Sequence, residues 1–326
     1  MKVLVLGWYN HHNCGDESYK ETFKMLFPHY SFTFVDRLKP DDVNECEAIV
    51  LGGGNVLRKQ FIEPLSKIKD KPIYGFSIGI EDAPAADLTF FKHIYARDER
   101  TLNFLKLKGV SCSFCPDAAL ILKGDEQAGA HWLKKNFQHE RYDLYSKVVT
   151  VVINGYILNG SVDGLARDAF NFIKFSYDLA RIADEVPASF VFIPFGSRIP
   201  SDDRIANAWV ASKCKFWNKN FVAFNPLSFR DALNVISASN LVISSRLHSS
   251  IFSFASGTPF VDITHHDKNR LFLEMVGKTE NSVNFWNFNG STLKEKVHKL
   301  LNNAKHDEHQ KFRELIWKTV NEIHFD

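Results

Sequence analysis

The sequence is short of several things, and each shortage removes a class of protein. An excess of charge of one sign is missing: 40 Lys and Arg against 38 Asp and Glu leave a formal net charge of +2 over 326 residues. A chain this close to neutral has no general field to steer it onto nucleic acid or an anionic membrane, so an anionic ligand would have to be held by a local cluster of cations. Cysteine is sparse, five residues in all, and an odd, scattered set argues against a disulfide framework and for a reducing compartment. Long apolar runs are also missing. The first, Val3–Leu6, is too short for the core of a signal peptide, and nothing downstream approaches the length of a membrane span. These shortages point to a cytoplasmic protein with no nucleic-acid partner and no transmembrane segment. No short repeat, low-complexity tract or charge block is present.

What is there is the composition of a folded chain, 45% hydrophobic, 24% charged and 13% aromatic, which excludes disordered, collagen-like and coiled-coil readings. The length favours two domains, since single cores rarely grow this large. Along the first half, short apolar runs read as strands (Lys2–Leu6, Phe32–Val35, Ala48–Leu51, Pro72–Phe76, His93–Ala96, Ser111–Cys115). Helical patterns lie between them (Asp16–Phe27, Val56–Lys69, Pro84–Lys92, Glu99–Lys108). Strands apolar on both faces and separated by helices imply parallel pairing through right-handed crossovers. From about Gly124 to Ser146 the rhythm fades into polar sequence with a short helix around His131, and then the alternation restarts. Lys147–Ile153, Ser189–Ile193, Phe221–Phe224, Leu241–Ser244 and Phe260–Ile263 read as strands. The helices between and after them are Val162–Glu185, Asp202–Lys213, Phe229–Ser237, Leu247–Ala255, Leu293–Asn302 and His309–Ile323. The expected architecture is α/β, with two doubly wound domains in tandem: residues 1–125, a linker over 126–145, residues 146–305, and a closing helix over 306–326. Such folds bind ligands at the carboxyl ends of their strands, here in a cleft between the two sheets.

The loops that follow strands carry the candidate chemistry. The first, from Gly7 to Glu17, is no dinucleotide fingerprint. Tyr9, Asn10, Asn13 and Asp16 lie in it, and Gly15-Asp16 either caps the next helix or adds a carboxylate to a polar cluster that holds hydroxyl groups. Gly52-Gly53-Gly54-Asn55 follows the third strand directly, either as a tight turn or as backbone N–H groups that approach a ligand. Arg97 ends the fifth strand; it pairs with Asp98 or Glu99, or points to a carboxylate or phosphate, and its position favours the second. Cys112 and Cys115 form an isolated C-x-x-C, which lacks the second ligand pair of a zinc site and reads as structural.

The most informative stretch runs from Val242 to Phe252. A buried strand leads into Ser244, Ser245, Arg246 and His248, and then into a helix of small residues. Hydroxyls and helix N-terminal N–H groups make an anion pocket, Arg246 adds a charged fork, and His248 adds a proton exchangeable near neutrality. Lys268 follows the next strand as a second cation or a solvated residue. Metal is not expected: His265, His266 and Asp267 are adjacent and cannot all face one ion, and no H-x-x-x-H pair lies on a helix. A G-x-S-x-G nucleophile elbow is missing too.

Taken in order, these motifs resemble the polysaccharide pyruvyl transferase family. They are Gly7–Glu17 (G-x-Y-N-x-x-N-x-G-D-E), Ile49–Gly54, Tyr74–Ile80, Ala96–Glu99, Pro116–Ala119, Ser244–Phe252, Gly257–Pro259 and a following lysine. The resemblance runs from the N-terminus to about Met275. It departs at Cys14 and at Asp267-Lys268, where proline–lysine is common. It implies two Rossmann-like domains of the GT-B type and transfer of pyruvate from phosphoenolpyruvate onto saccharide hydroxyls as a ketal, with no other cofactor. The acceptor sugar could be free, lipid-linked or polymeric. On this reading Arg246, Arg97, Lys268, Ser244 and Ser245 hold the donor, and His248 is the proton donor. Asp16 is the base or orients a hydroxyl, and Tyr9, Asn10, Asn13, Gly53, Gly54 and Asn55 line the acceptor side. Two other readings stay open. One is a nucleotide-sugar glycosyltransferase, for which Glu274, within an apolar helical pattern, is the one ribose-binding acid in reach. The other is a non-catalytic module that binds a sugar or anion.

Overall fold

The computed structural model describes residues 1–80, 86–137, 145–158, 165–199 and 202–325. These fall into two compact units. The first holds residues 1–11, 15–121 and 310–326, and the second holds residues 12–14 and 122–309.

The first unit contains strands β1 (Lys2–Leu6), β2 (Ser31–Val35), β3 (Ala48–Gly54), β4 (Ile73–Ile78), β5 (His93–Ala96) and β6 (Cys112–Phe114). Its helices are α1 (Cys14–Leu26), α2 (Pro40–Glu45), α3 (Lys59–Leu65) and α4 (Glu99–Leu107). All strand pairs are parallel, in the order β2-β1-β3-β4-β5-β6. The chain therefore reverses its direction of travel across the sheet between β1 and β3, where the two following loops part and leave room for a ligand. One sheet face packs Leu4, Leu6, Ile49, Leu51 and Ile94 against Phe61, Ile62 and Leu65 of α3. The other carries a cluster of rings, with Phe23 edge-on to Phe32, Phe34 and Phe76.

The second unit contains α5 (Glu126–Phe137), β7 (Val148–Val152), α6 (Leu165–Glu185), β8 (Ser189–Phe192), α7 (Asp203–Ala211) and β9 (Asn220–Val222). These are followed by α8 (Phe229–Ala238), β10 (Leu241–Ser244), α9 (Leu247–Ala255), β11 (Phe260–Thr264), α10 (Asp267–Val276), β12 (Ser282–Asn284) and α11 (Gly290–Leu300). The sheet is again all parallel, ordered β12-β11-β10-β7-β8-β9, with its reversal between β7 and β10. On α6 the buried stripe is Phe172, Phe175, Leu179, Ile182 and Ala183, continued by Val186 just past its end and packed on Val149, Phe190 and Ile243. Ile173 lies off that stripe and is 44% exposed. The 3.6-residue period places it with Phe170 and Tyr177.

Several elements differ from the sequence reading. The helix expected over Val56–Lys69 shrinks to α3, with Pro64 in its last turn. Of the helix expected over Pro84–Lys92, residues 84–85 lie outside the described residues, and the rest forms a turn. Asp87 accepts from the Thr89 backbone N and hydroxyl (both 2.9 Å), a local bond that competes with helix formation. The segment read as a linker contains α5, which packs on α8 and belongs to the second unit; Asp125 N at its start donates to Asn234 Oδ1 (2.9 Å). Helix α10 ends on Gly277 in the left-handed region and accounts for the apolar pattern around Glu274.

The closing helix, α12 (Gln310–Val320), packs in the first unit, where Arg313 Nε donates to Leu120 O (3.0 Å). Beyond it Phe325 is fully buried against Phe27, Tyr30 and Tyr74. Terminal residues usually tolerate change; this one does not stand free. Phe325→Ala is expected to lower unfolding stability by about 3 kcal/mol, read as a shift in the denaturant midpoint at unchanged slope.

Candidate functional site

The second unit's site grows from the reversal between β7 and β10. At the end of β10 the chain turns sharply. Arg246 N donates to Ser244 Oγ, which donates in turn to Arg246 O (both 2.9 Å). Ser245 Oγ accepts from Asn154 N at the end of β7 (2.7 Å). Both serines are buried, so their hydroxyls shape the turn.

Arg246 then reaches across the strand ends to Asp203. Its Nε lies 3.0 Å from Asp203 Oδ2 and its Nη2 2.5 Å from Oδ1. Asp203 is fully buried and accepts from three further backbone groups, Gly155 N (2.8 Å), Phe195 N (3.0 Å) and Gly196 N (2.9 Å). One carboxylate thus holds the loop after β7, the loop after β8 and the guanidinium after β10. A planar fork bonded bidentately on one side keeps its remaining N–H groups in a fixed direction. The same loops hold residues 12–14: Cys14 N donates to Phe195 O (2.8 Å), and Asn13 pairs with Gly196.

Next to this turn, β11 delivers His265. Its Nδ1 is 3.4 Å from Ile263 O and its Nε2 3.2 Å from Asn154 Nδ2. With the proton on Nδ1, Nε2 accepts from the amide. Burial pushes this imidazole well below the usual histidine range, and His266, Lys268 and Arg246 push it in the same direction. Lys268 and Arg246 therefore bear on the same strand ends as His265. Asp262, buried on β11, accepts from Ser250 of α9 (2.7 Å) and Asn269 of α10 (2.8 Å) and so ties both helices to the strand. Neither α9, starting after Arg246, nor α10, starting after His266, has a side-chain N-cap. Two helix starts, each with the positive end of its dipole, thus stand beside the same strand ends. His248 and Lys268 lie half-buried in the first turns of α9 and α10. Glu274 pairs with Arg270 on an exposed face of α10 (2.7 Å).

The first unit's reversal point holds a different arrangement. Arg97 is buried and bonded to Asp117 (2.9 Å), Tyr19 Oη (3.4 Å) and Asn55 Oδ1 (2.5 Å). Tyr19 donates to Asp117 (2.8 Å), and burial raises its phenol far above the ordinary value, keeping it protonated. Arg97 thus has a different task from the donor contact expected of it, because a partner absent from its own loop captures it inside the unit. Breaking a buried pair of this kind costs about 3–5 kcal/mol. Ser77, at the β4 bulge, takes a left-handed conformation (φ 55°), and its Oγ accepts from Ala118 N beside Asp117.

The acceptor-side residues divide in the same way. Tyr9 is buried and its hydroxyl donates to Gly52 O (2.7 Å), which corrects the ligand contact expected of it. At Gly53 (φ +70°) a Cβ would come within 2.3 Å of the Tyr19 ring, so the missing side chain makes room for that ring. Asp16 lies half-buried over Gly54, with Oδ1 3.1 Å from where a Cβ would sit. Asn10 is exposed, takes φ 64° and accepts from Lys20 (2.8 Å). Among the described residues no group of three His, Cys, Asp or Glu could hold a metal ion. All five cysteines are free, and burial pushes the Cys115 thiol up to about 12.

A family model for polysaccharide pyruvyl transferase matches residues 13–267. The chain belongs to that family. As a member it is a transferase. The match takes in Arg97, Asp203, Arg246 and His248; it begins after Tyr9 and Asn10 and stops one residue before Lys268. Comparison with curated proteins finds no match. Among solved structures the chain is similar to S. aureus MnaA with UDP (TM-score 0.60, 8% identity, 97% of this chain and 90% of that one). It is similar also to the UDP-GlcNAc 2-epimerase of Methanocaldococcus jannaschii with UDP-GlcNAc and UDP (0.55, 12%, 98% and 99%). A third is E. coli ADP-heptose LPS heptosyltransferase II (0.53, 12%, 92% and 98%). These share the GT-B fold, two doubly wound domains in tandem.

Within this transferase the sequence reading missed Asp203, Asn154, His265 and Tyr19 as site-builders. The one available signal was the doublet Asp202-Asp203 at a helix start. Asp202 caps Arg204 N, which leaves the second carboxylate for another task.

Two outcomes follow for this transferase. Asp203→Asn retains the shape but loses the charge that orients Arg246; a fall in stability of about 1–3 kcal/mol is expected, read by thermal unfolding. His265, neutral in the folded state, takes up a proton only in the unfolded chain below about pH 6.5, so stability falls as pH drops through that value. His265→Gln is expected to flatten the slope of melting temperature against pH between 7 and 5, with His93 and His306, also lowered by burial, supplying what remains.

Proposed function

We propose that this transferase moves the pyruvate unit of phosphoenolpyruvate onto two hydroxyls of a saccharide and forms a ketal. The observation that carries the reading is the guanidinium of Arg246, fixed by Asp203 at the end of β10, beside two helix starts without side-chain caps. A donor with a phosphate and a carboxylate needs several fixed cations and N–H groups, because its high charge is otherwise better solvated by water. Arg246, oriented by Asp203, is the donor's bidentate partner, and Lys268 the second cation. The family implies the saccharide acceptor.

The chemistry balances as follows. His248 gives a proton to the methylene carbon of the enol, and positive charge develops at the neighbouring carbon. A sugar hydroxyl adds there and loses its proton to a base, for which Asp16, over Gly54, is the carboxylate proposed. The C–O bond to phosphate then breaks with its electron pair, and a second hydroxyl adds and passes its proton to the departing phosphate to close the ketal. Products are the ketal and inorganic phosphate. Ser244 and Ser245 serve by holding the turn that carries Arg246 and His248, and Arg97 by holding the first unit's loops together.

Calorimetric titration with phosphoenolpyruvate, beside UDP, GDP and CMP sugars, tests the reading. Binding of phosphoenolpyruvate is expected, with Arg246→Ala weakening it by two orders of magnitude or more. His248→Gln should keep donor affinity and lose turnover. Binding of a nucleotide sugar with none of phosphoenolpyruvate would assign the site to glycosyl transfer. Near-normal turnover in His248→Gln would remove the acid from this residue.

A further inference from the structure

The loop that leaves β1 in the first unit presents an aromatic platform apart from the residues that carry donor and base. Trp8 stacks on His11, with ring centres 4.0 Å apart and planes 14° from parallel, and still keeps 41% of its surface exposed. An isolated exposed ring is ordinary on a protein. This one is held in place on several sides. Gly7 N donates to Val35 O (3.0 Å), the hydroxyl of the neighbouring Tyr9 to Gly52 O (2.7 Å), and Asn10 N to Glu17 Oε1 (2.5 Å). His11 Nε2 meets Asp36 Oδ2, just past β2, at 3.2 Å. Of the adjacent rings, Tyr9 is buried and bonded to the sheet, whereas Trp8 is turned outward on a fixed support.

Its place in the sheet is a place for a ligand. In the order β2-β1-β3, Trp8, His11 and Asp36 follow the carboxyl ends of β1 and β2, and Asp16 lies over Gly54 at the end of β3. The reversal between β1 and β3 separates the two groups, and such sheets take their ligands at that point. A supported ring edged by a carboxylate has both halves of sugar recognition. The C–H bonds gathered on one face of a pyranose are weakly positive and meet the negative face of an aromatic ring, while hydroxyls at the sugar's rim need polar partners. Asp36, its side chain 35% exposed and approached by Arg37 only to 3.9 Å, is an acceptor for them.

We propose that Trp8 is a specificity-determining residue for the acceptor: a pyranose ring of the saccharide stacks on the indole, and the Asp36 carboxylate accepts from its hydroxyls. This rests on the acceptor being a saccharide and does not depend on the identity of the donor. Stacking fixes the plane of the sugar, and the carboxylate fixes its rotation within that plane. Two hydroxyls of one ring must reach the same carbon in turn to form a ketal, so a sugar held in plane and rotation is what the reaction needs. The family match begins at residue 13, so the platform lies outside the matched segment.

Saturation-transfer NMR on the full chain tests this, with the methyl pyranosides of glucose, galactose, mannose and N-acetylglucosamine as probes. Saturation is expected on the C–H protons along one face of at least one glycoside. Trp8→Ala is expected to cut it by about tenfold at an unchanged melting temperature, and Trp8→Phe, which keeps a ring, by no more than about threefold. Loss in the first variant with retention in the second separates stacking from a general disturbance of the loop. Wild-type protein that passes saturation to none of the glycosides would overturn the inference, as would Trp8→Ala that behaves like the wild type. Uridine saturated through Trp8 where no glycoside is would assign the platform to a nucleoside base and overturn it too. Phosphoenolpyruvate that fails to bind while a glycoside binds through Trp8 would remove the proposed donor and leave the platform standing.

Discussion

Much in the second unit depends on the single carboxylate of Asp203. It sits at the point where the sheet reverses, fully buried, and its two oxygens accept from the loops after β7 and β8 and from the guanidinium that follows β10. An unpaired charge at such depth would be strongly unfavourable. With five N–H groups around it the charge is held, and in return it fixes the direction of Arg246. The residues that pair with Asp203's loops, Asn13 and Cys14, come from far away in sequence. The carboxylate therefore organises chain segments nearly two hundred residues apart.

The two units solve the same geometric problem with opposite electrostatic results. Both are parallel sheets with a reversal point, and in both an arginine stands at a strand's carboxyl end and finds a buried aspartate. In the first unit Arg97, Asp117, Tyr19 and Asn55 close on one another, and the arginine acts as structure. In the second, Arg246 is held by Asp203 with 12% of its side chain exposed, and burial, with His266, Lys268 and Arg246 acting in the same direction, pushes the His265 imidazole well below the usual range. The first point is a satisfied network with small polar groups at its rim. The second is a place where negative charge is favoured.

The neutrality of the whole chain hides this division. A net charge of +2 is compatible with cationic side chains gathered at the ends of β10 and β11, where the buried carboxylate of Asp203 is paired with Arg246. Local fields decide binding here, since charges beyond about 8–10 Å are largely screened at physiological salt.

The order of strands and helices, and with it the α/β class and the duplication, was legible because the apolar runs are short, β-branched and separated by amphipathic stretches. Strands β1, β5 and β10 and helix α9 have the bounds read from the sequence. The turn from Ser244 to His248 stood out because serine, arginine and histidine at a strand's end have little structural reason to occur together. Three matters were decided by tertiary structure alone. Arg97 and Arg246 look alike in sequence, each at a strand's carboxyl end, and only the positions of Asp117 and Asp203, remote in the chain, separate a buried ion pair from an oriented cation. Tyr9 and Gly53 have the residue types of a ligand loop, yet the hydroxyl of one bonds to Gly52 and the other yields its space to Tyr19. Phe325, one residue from the end, is core because the last helix folds back on the first sheet. Periodicity is local and survives in the sequence; the partner of a charge or a ring is chosen by packing, and packing is not local.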